Sequence, residues 1–143
     1  MNVRISTNFS NTLPPVSDAE KLRALLAEWQ KGEFTGGVRL FAEEIRFSGA
    51  QPEGQVEARG PDGVVRFMRG FLEGWERYTV ETHELEELGE GRYLATGTQH
   101  GKGAAGGVDI AAPVSIAVRM ADGRITELDF FLDRERALEA LSD

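Results

Sequence analysis

The strongest constraint on this chain is a change of period after Tyr78. Before it, apolar residues recur at helical spacing. Beyond it they alternate with polar ones, as in strands. The second half predicts strands at 79–88, 92–102, 108–120 and 124–132. Their connections are turn chemistry: Gly89-Glu90-Gly91, a Gly-rich stretch at 101–107, and Asp122-Gly123. Turns this short join antiparallel neighbours. Helices gathered ahead of such a meander point to an α+β domain rather than a doubly wound sheet.

The first half supplies those helices. Ser17-Asp18-Ala19-Glu20 is a capping box, in which the Ser hydroxyl and the Glu carboxylate each satisfy an otherwise orphaned amide. Leu22, Leu25, Leu26 and Trp29 follow on one helical face, and Gly32 suits the stop. A helical turn at 38–41 leads to a strand at 44–48, and 49–60, rich in Gly, Pro, Gln and Glu, reads as a loop. Pro61 opens a second helix with a stripe of Val64, Phe67, Met68, Phe71, Leu72 and Trp75. Gly70 and Gly74 weaken that helix by up to ~1 kcal/mol each relative to Ala, so close packing is expected at both. A short last helix at 133–141 carries Ala137, Leu138 and Leu141 on one side.

A length of 143 residues suits one domain. Residues 1–16 read as a flexible arm and 17–143 as the single folded domain. The net charge of −8, with 16 basic residues scattered among 24 acidic ones, argues against nucleic acid or an anionic membrane as partner. Without cysteine there is no disulfide, thiolate metal site or Cys nucleophile. No run approaches the ~20 apolar residues of a membrane span, and the polar start lacks a signal-peptide core. A cytoplasmic location is the expectation.

Gly101, Gly103 and Gly106 spell G-x-G-x-x-G, with Asp122 about 20 residues on, but a dinucleotide site needs a helix N-terminus behind the glycines. Here an alternating segment with Pro113 follows, so the motif is a hairpin turn and no cofactor is expected. His83 sits among Glu81, Glu84, Glu86 and Glu87. Alternation spreads these groups over both strand faces, which favours a solvated acidic strand over a metal site. Arg46, between Ile45 and Phe47, suits an ion pair across the sheet better than a carboxylate clamp.

Segments spread over most of the domain carry a family likeness. They are Trp29-Gln30-Lys31-Gly32-Glu33-Phe34, Phe41-Ala42-Glu43-Glu44-Ile45-Arg46-Phe47, Gly60-Pro61-Asp62-Gly63-Val64 and Asp122-Gly123-Arg124-Ile125-Thr126-Glu127. In their order and spacing the chain resembles the nuclear-transport-factor-2-like superfamily, and more closely its SnoaL-like branch of polyketide cyclases and ketosteroid-isomerase relatives. The resemblance implies a cone-shaped α+β fold, a curved, mainly antiparallel sheet wrapped against N-terminal helices, with a cavity at the wide end. It also implies a homodimer through the outer sheet face. Of the isomerase's catalytic positions, the helical tyrosine falls on Leu25, the base near Gly49 and the second acid on Ser115, none of which can act. The cyclase aspartate falls on Phe130, with Asp129 one residue away and pointing to the other face. The epoxide hydrolases' Asp-Arg-Asp relay has no convincing equivalent.

Closing the hairpins on their turns puts Phe130 opposite Ser115, Leu128 opposite Ala117, His100 opposite Asp109 and Thr98 opposite Ala111. Alternation then groups Leu94, Thr96, Thr98, His100, Asp109, Ser115, Leu128, Phe130 and Leu132 on one face. By the resemblance that face lines the cavity. The other, with Tyr93, Ile110, Ala112, Val114, Ile116, Val118, Asp129 and Phe131, is apolar enough to predict an interface between subunits. Pro113 lacks an amide and suits a bulge that would shift this sorting.

The cavity is thus expected to be walled by Trp29, Phe47, Phe71, Trp75, Tyr78, Thr96, Thr98, Ser115, Leu128 and Phe130, and to take a small, largely apolar molecule. A carboxylate orients an imidazole and holds its proton near neutral pH, so His100 with Asp109 is the candidate pair for isomerase- or cyclase-type proton transfer beside a carbonyl. A solvated cross-strand ion pair is the plainer reading of the same two residues. The alternative function is a non-catalytic dimerisation or accessory module whose cavity is filled by its own side chains.

Overall fold

The computed structural model describes residues 17–51 and 54–142; the arm at 1–16 lies outside them. Helix α1, Asp18–Gln30, starts on the predicted capping box: Glu20 N donates to Ser17 Oγ at 3.1 Å and Ser17 N to the Glu20 carboxylate at 3.3 Å. Leu22, Leu25, Leu26 and Trp29 are its buried face, and Gly32, at φ +88°, carries the chain out of the helix. A 3-10 turn, Gly36–Leu40, leads into strand β1, Phe41–Gln51.

Residues 49–60 correct the sequence reading. Instead of a loop, β1 runs on and the chain returns as strand β2, Gly54–Arg59, antiparallel with Gly49 opposite Val56. As an edge strand β2 buries little, so a polar composition serves it and hides it.

Helix α2 spans Gly60–Leu72, with Pro61 in its first turn and Val64 and Met68 buried. It stops three residues short of the predicted stripe, and Trp75 opens strand β3, Trp75–Gly89. Close packing does not explain its glycines: a Cβ on Gly70 would meet nothing within 4 Å, and one on Gly74 only Phe71 O at an ordinary 3.7 Å.

Strands β4, Arg92–Gly103, β5, Asp109–Ala121, and β6, Arg124–Phe131, complete a six-stranded sheet in the order β2-β1-β6-β5-β4-β3. Only the β1–β6 pair is parallel. Helix α3, Arg134–Leu141, is capped by Asp133, whose carboxylate accepts from Arg136 N at 2.8 Å. At its other end Arg92 donates to Leu141 O at 2.5 Å and Arg119 to Ala140 O at 3.1 Å, satisfying carbonyls that a helix end leaves free.

Two registers differ from prediction. The Gly-rich hairpin closes over a 3-10 turn, Ala104–Gly106, so His100 stands opposite Ala111, Lys102 opposite Asp109 and Thr98 opposite Pro113. That two-residue slip keeps each side chain on its face and needs no bulge at Pro113. The β5–β6 hairpin does bulge: Arg119 pairs with Glu127 but Met120 with Ile125. Thr126 is the extra residue, its hydroxyl donating to Arg119 O at 3.2 Å. One extra residue exchanges the faces of everything beyond it. Ser115 therefore faces Phe131 and Ala117 faces Asp129, while Leu128 and Phe130 join Val118 and Ile116.

The two sheet faces are also reversed. Tyr93, Ala95, Val114, Ile116 and Val118 pack with Leu128 against Leu22, Leu25, Leu26 and Trp29 of α1. Full burial of side chains like these stabilises by about 1.5–3 kcal/mol each, which decides the direction in which the sheet curls. The apolar face predicted to meet a partner subunit is the domain's own core. The outer face carries Thr96, Thr98, His100, Asp109 and Ser115; at one end Leu94 and Ala117 are buried under Ala137 and Leu141 of α3.

Candidate functional site

A cavity opens between α2 and the concave face at the end of the domain where β1 and β6 finish. Helix α2 contributes Phe67, Met68, Phe71 and Leu72; the sheet contributes Phe47, Gly49 and Ala50 from β1, and Tyr78, Gln99 and Val114 from β3, β4 and β5. Phe34 closes the inner end, and Phe130, Phe131 and Leu132 stand at the end of β6. The rings brace one another. Phe47 lies 5.0 Å from Phe67 and 5.7 Å from Phe130, and Phe71 meets Tyr78 edge-on at 4.9 Å. Gly49 has a steric purpose here, since a Cβ on it would come within 3.1 Å of the Phe67 ring.

Its one polar feature is a pair. The Tyr78 hydroxyl donates to Gln99 Oε1 at 2.7 Å. Burial pushes the Tyr78 phenol up to about 12, so at neutral pH it is a hydrogen-bond donor and not a base. Every other lining side chain is apolar, and among the described residues no carboxylate, imidazole, amine or guanidinium lines the cavity.

The predicted site residues divide accordingly. Phe47, Phe71, Tyr78 and Phe130 line the space. Trp29 lies behind it, 5.5 Å from Phe130, and Leu128 is core. Trp75 backs Phe71 and Tyr78 from 6.1 and 5.8 Å, its ring over Gly101, where a Cβ would come within 2.6 Å. Thr96, Thr98 and Ser115 are on the outer face, through the face reversal described above.

His100 and Asp109 are on that outer face too, two residues out of register with each other. The His100 imidazole pairs instead with Glu81, Nε2 to Oε1 at 3.1 Å, and His83 approaches the same carboxylate at 3.6 Å. The hydrogen bond from His100 lowers the Glu81 pKa. Among the described residues no group of three or more His, Cys, Asp and Glu side chains is placed to hold a metal ion. Asp109 and His100 therefore do not form the acid–base pair drawn from the sequence.

Sequence reasoning missed Phe34, Phe67, Met68, Leu72 and above all Gln99. The α2 residues were on the predicted stripe and Phe34 ends the Trp29–Phe34 segment, so their signal was present. Gln99 shares its strand face with Tyr93, Ala95 and Gly97, and was lost with the assignment of that face.

The outer face holds a polar cluster around Arg46 and Asp129. Arg46 donates twice to Asp129, at 2.8 Å to each oxygen, and once to Glu127 at 3.0 Å. Ser48 Oγ donates to Asp129 Oδ1 at 2.5 Å, and Gln55 to Ser48 Oγ at 3.0 Å. The bond to Asp129 raises the Arg46 pKa further above its ordinary value. Arg46 thus makes the cross-sheet ion pair that its apolar flanks suggested, and Asp129 points away from the cavity.

With this geometry the comparisons with known proteins agree. A family model described as a SnoaL-like domain matches residues 22–128. The chain belongs to the SnoaL-like domain family. Solved structures with the same fold include a nuclear-transport-factor-2-like protein of Burkholderia thailandensis, 19% identical, with a TM-score of 0.73 over 90% of this chain and 100% of that one. A putative SnoaL-like polyketide cyclase of Jannaschia is 17% identical, with a TM-score of 0.69 over 93% of this chain and 98% of its own. A ketosteroid-isomerase-like protein of Catenulispora acidiphila, solved with trimethylamine, is 16% identical, with a TM-score of 0.69 over 85% and 92%. No curated protein matches the chain. Within this SnoaL-like domain, the positions that the sequence aligned with the isomerase's catalytic groups hold a buried Leu25, a cavity-lining Gly49 and an outward Ser115. Phe130, which the resemblance set at the cyclase aspartate, lines the cavity.

Proposed function

We propose that this SnoaL-like domain binds a small, uncharged, largely apolar molecule in its cavity, without acid–base chemistry from the cavity wall. One observation carries the reading: a space walled by aromatic rings, with a single hydrogen-bonded polar pair and, among the described residues, no ionisable group other than a phenol that stays protonated. An apolar pocket with few convergent polar groups is the ordinary form of a small-molecule site. The proton transfer considered for His100 and Asp109 has no support, since both lie on the opposite face of the sheet and out of register with each other.

Size narrows the ligand. The cavity is small, about 80 Å³, against the roughly 300–1,000 Å³ usual for a drug-sized ligand. That suits a molecule of one or two rings better than a fused tetracycle. The open, ring-lined space counts against an accessory module whose cavity is filled by its own side chains.

The test is native mass spectrometry of freshly purified protein, followed by titration with one-ring and two-ring aromatic compounds. Val114→Phe, which places a ring in the cavity from its buried floor, is expected to abolish binding while circular dichroism stays unchanged. Equal binding by wild type and Val114→Phe would put the ligand elsewhere and end the cavity reading.

A further inference from the structure

We propose that the carboxamide of Gln99, held by Tyr78, is the recognition point of the cavity and selects a compact neutral ring compound bearing one hydrogen-bond acceptor, as an aryl ketone does. This rests on the binding reading above and adds the polar group of the ligand and the atom that meets it.

The argument is one of donors and acceptors. A phenol has one hydrogen to donate, and Tyr78 gives it to Gln99 Oε1 at 2.7 Å. With its oxygen turned to Tyr78, the amide leaves its nitrogen on the other arm, with two N–H groups. Among the described residues Nε2 has no protein acceptor. Gln99 lines the cavity, and its neighbours there are Tyr78, Phe71, Val114 and the rings beyond. A ligand entering this space displaces water from those N–H groups. It replaces that water well only if it brings an acceptor, since a buried donor left unpaired is costly.

Charge decides between the acceptors. A carboxylate would have to shed its water in a cavity with no lining cation, which amide donors alone do not offset. An ammonium would gain from the ring faces, but it would meet the positive end of the amide dipole and find no lining carboxylate. A ketone or ether oxygen pays little to leave water and completes the amide's hydrogen bonding. An apolar body on the rings and one neutral oxygen at Gln99 is the combination that leaves no polar group unpaired.

Four one-ring probes separate the cases: acetophenone, ethylbenzene, benzoate and phenyltrimethylammonium, followed by NMR titration, which reads weak binding. With wild type, acetophenone is expected to bind about three- to tenfold more tightly than ethylbenzene, the worth of one neutral hydrogen bond. Benzoate and phenyltrimethylammonium are expected to bind more weakly than either. Gln99→Leu, close in shape but without donors, is expected to bring the ketone and the hydrocarbon within about twofold. Tyr78→Phe, which frees the amide without removing it, is expected to shrink the preference without abolishing it. Circular dichroism and thermal unfolding check that both variants fold, and Tyr78→Phe stands as the milder change if Gln99→Leu does not. Equal affinity of wild type for acetophenone and ethylbenzene, tightest binding of either charged probe, or a preference that survives Gln99→Leu would overturn the inference while leaving the cavity as a binding site. If folded wild type takes none of the four, the cavity reading fails and this inference with it.

Discussion

Replacing Arg46 by Ala tests whether the outer-face cluster is a buried ion pair or a surface decoration. Asp129 is the reason the two differ. Its side chain is only 5% exposed, against 24% for Arg46. Arg46→Ala leaves that carboxylate with the Ser48 hydroxyl as its one remaining direct partner among the described residues. Removing one partner of a buried pair costs about 3–5 kcal/mol, and the space vacated by Arg46 admits some water, so about 3 kcal/mol is expected. Asp129→Ala should cost less, about 1.5–2.5 kcal/mol, because the stranded guanidinium keeps Glu127 at 3.0 Å and reaches solvent. The double variant strands neither charge. Its cost should fall below the sum of the single costs by about 1.5–3 kcal/mol, the coupling expected of groups in direct contact. Urea unfolding followed by circular dichroism reads all three, with unchanged m-values as the check that the unfolded state is the same. In a chain this long the Arg46→Ala melting point should drop by roughly 10 °C. A cost for Arg46→Ala below about 1 kcal/mol, the ordinary worth of an exposed pair, would refute the reasoning. So would additivity of the two substitutions within about 0.5 kcal/mol.

Other consequences can be checked on the same samples. Tyr78 is protonated more tightly in the folded protein than in the unfolded chain, so the stability it contributes is complete below about pH 10 and is lost as pH rises towards about 12, by roughly 2–3 kcal/mol. Urea midpoints taken across that window should fall in wild type and stay flatter in Tyr78→Phe; equal slopes would refute the burial argument. Gly70→Ala and Gly63→Ala, in helical positions where a Cβ meets nothing within 4 Å, should each raise stability by up to about 1 kcal/mol. Gly97→Ala should destabilise by at least about 3 kcal/mol, because its Cβ would fall 1.9 Å from the backbone oxygen of Glu81; thermal melts separate these outcomes. His100→Ala and Asp109→Ala should leave acetophenone binding unchanged within about twofold, and a larger loss would place them nearer the cavity than the outer face allows.

How much of this was legible in the sequence depends on how local each signal was. The capping box at Ser17, the stripe of α1 and the order of helices and strands are set by neighbours within a turn or two, and the fold follows from them. The β2 strand was hard to read because its alternation is short and weak: only Val56 and Ala58 stand between Gln55, Glu57 and Arg59, beside the Gly and Pro of a turn. The end of α2 was overrun because Trp75 stands four residues after Phe71, the spacing of a helix, although the chain has already turned at Gly74.

The site was less legible, because its chemistry depends on parity. Two independent one-residue questions, whether the β5–β6 hairpin bulges at Thr126 and which face of β4 meets the helices, decide which side chains enter the cavity. At the first, the extra residue is marked by a single hydroxyl, Thr126 donating to Arg119 O. The second had evidence in plain view, because a face with Tyr93, Ala95, Val114, Ile116 and Val118 has far more to gain from α1 than one with Thr96, Thr98 and His100. Weighing that burial, at about 1.5–3 kcal/mol per large side chain, against the resemblance would have turned the sheet over. With it turned, His100 and Asp109 go outside, Gln99 comes in beside Tyr78, and the question for this cavity shifts from which residue moves a proton to which oxygen an amide would hold.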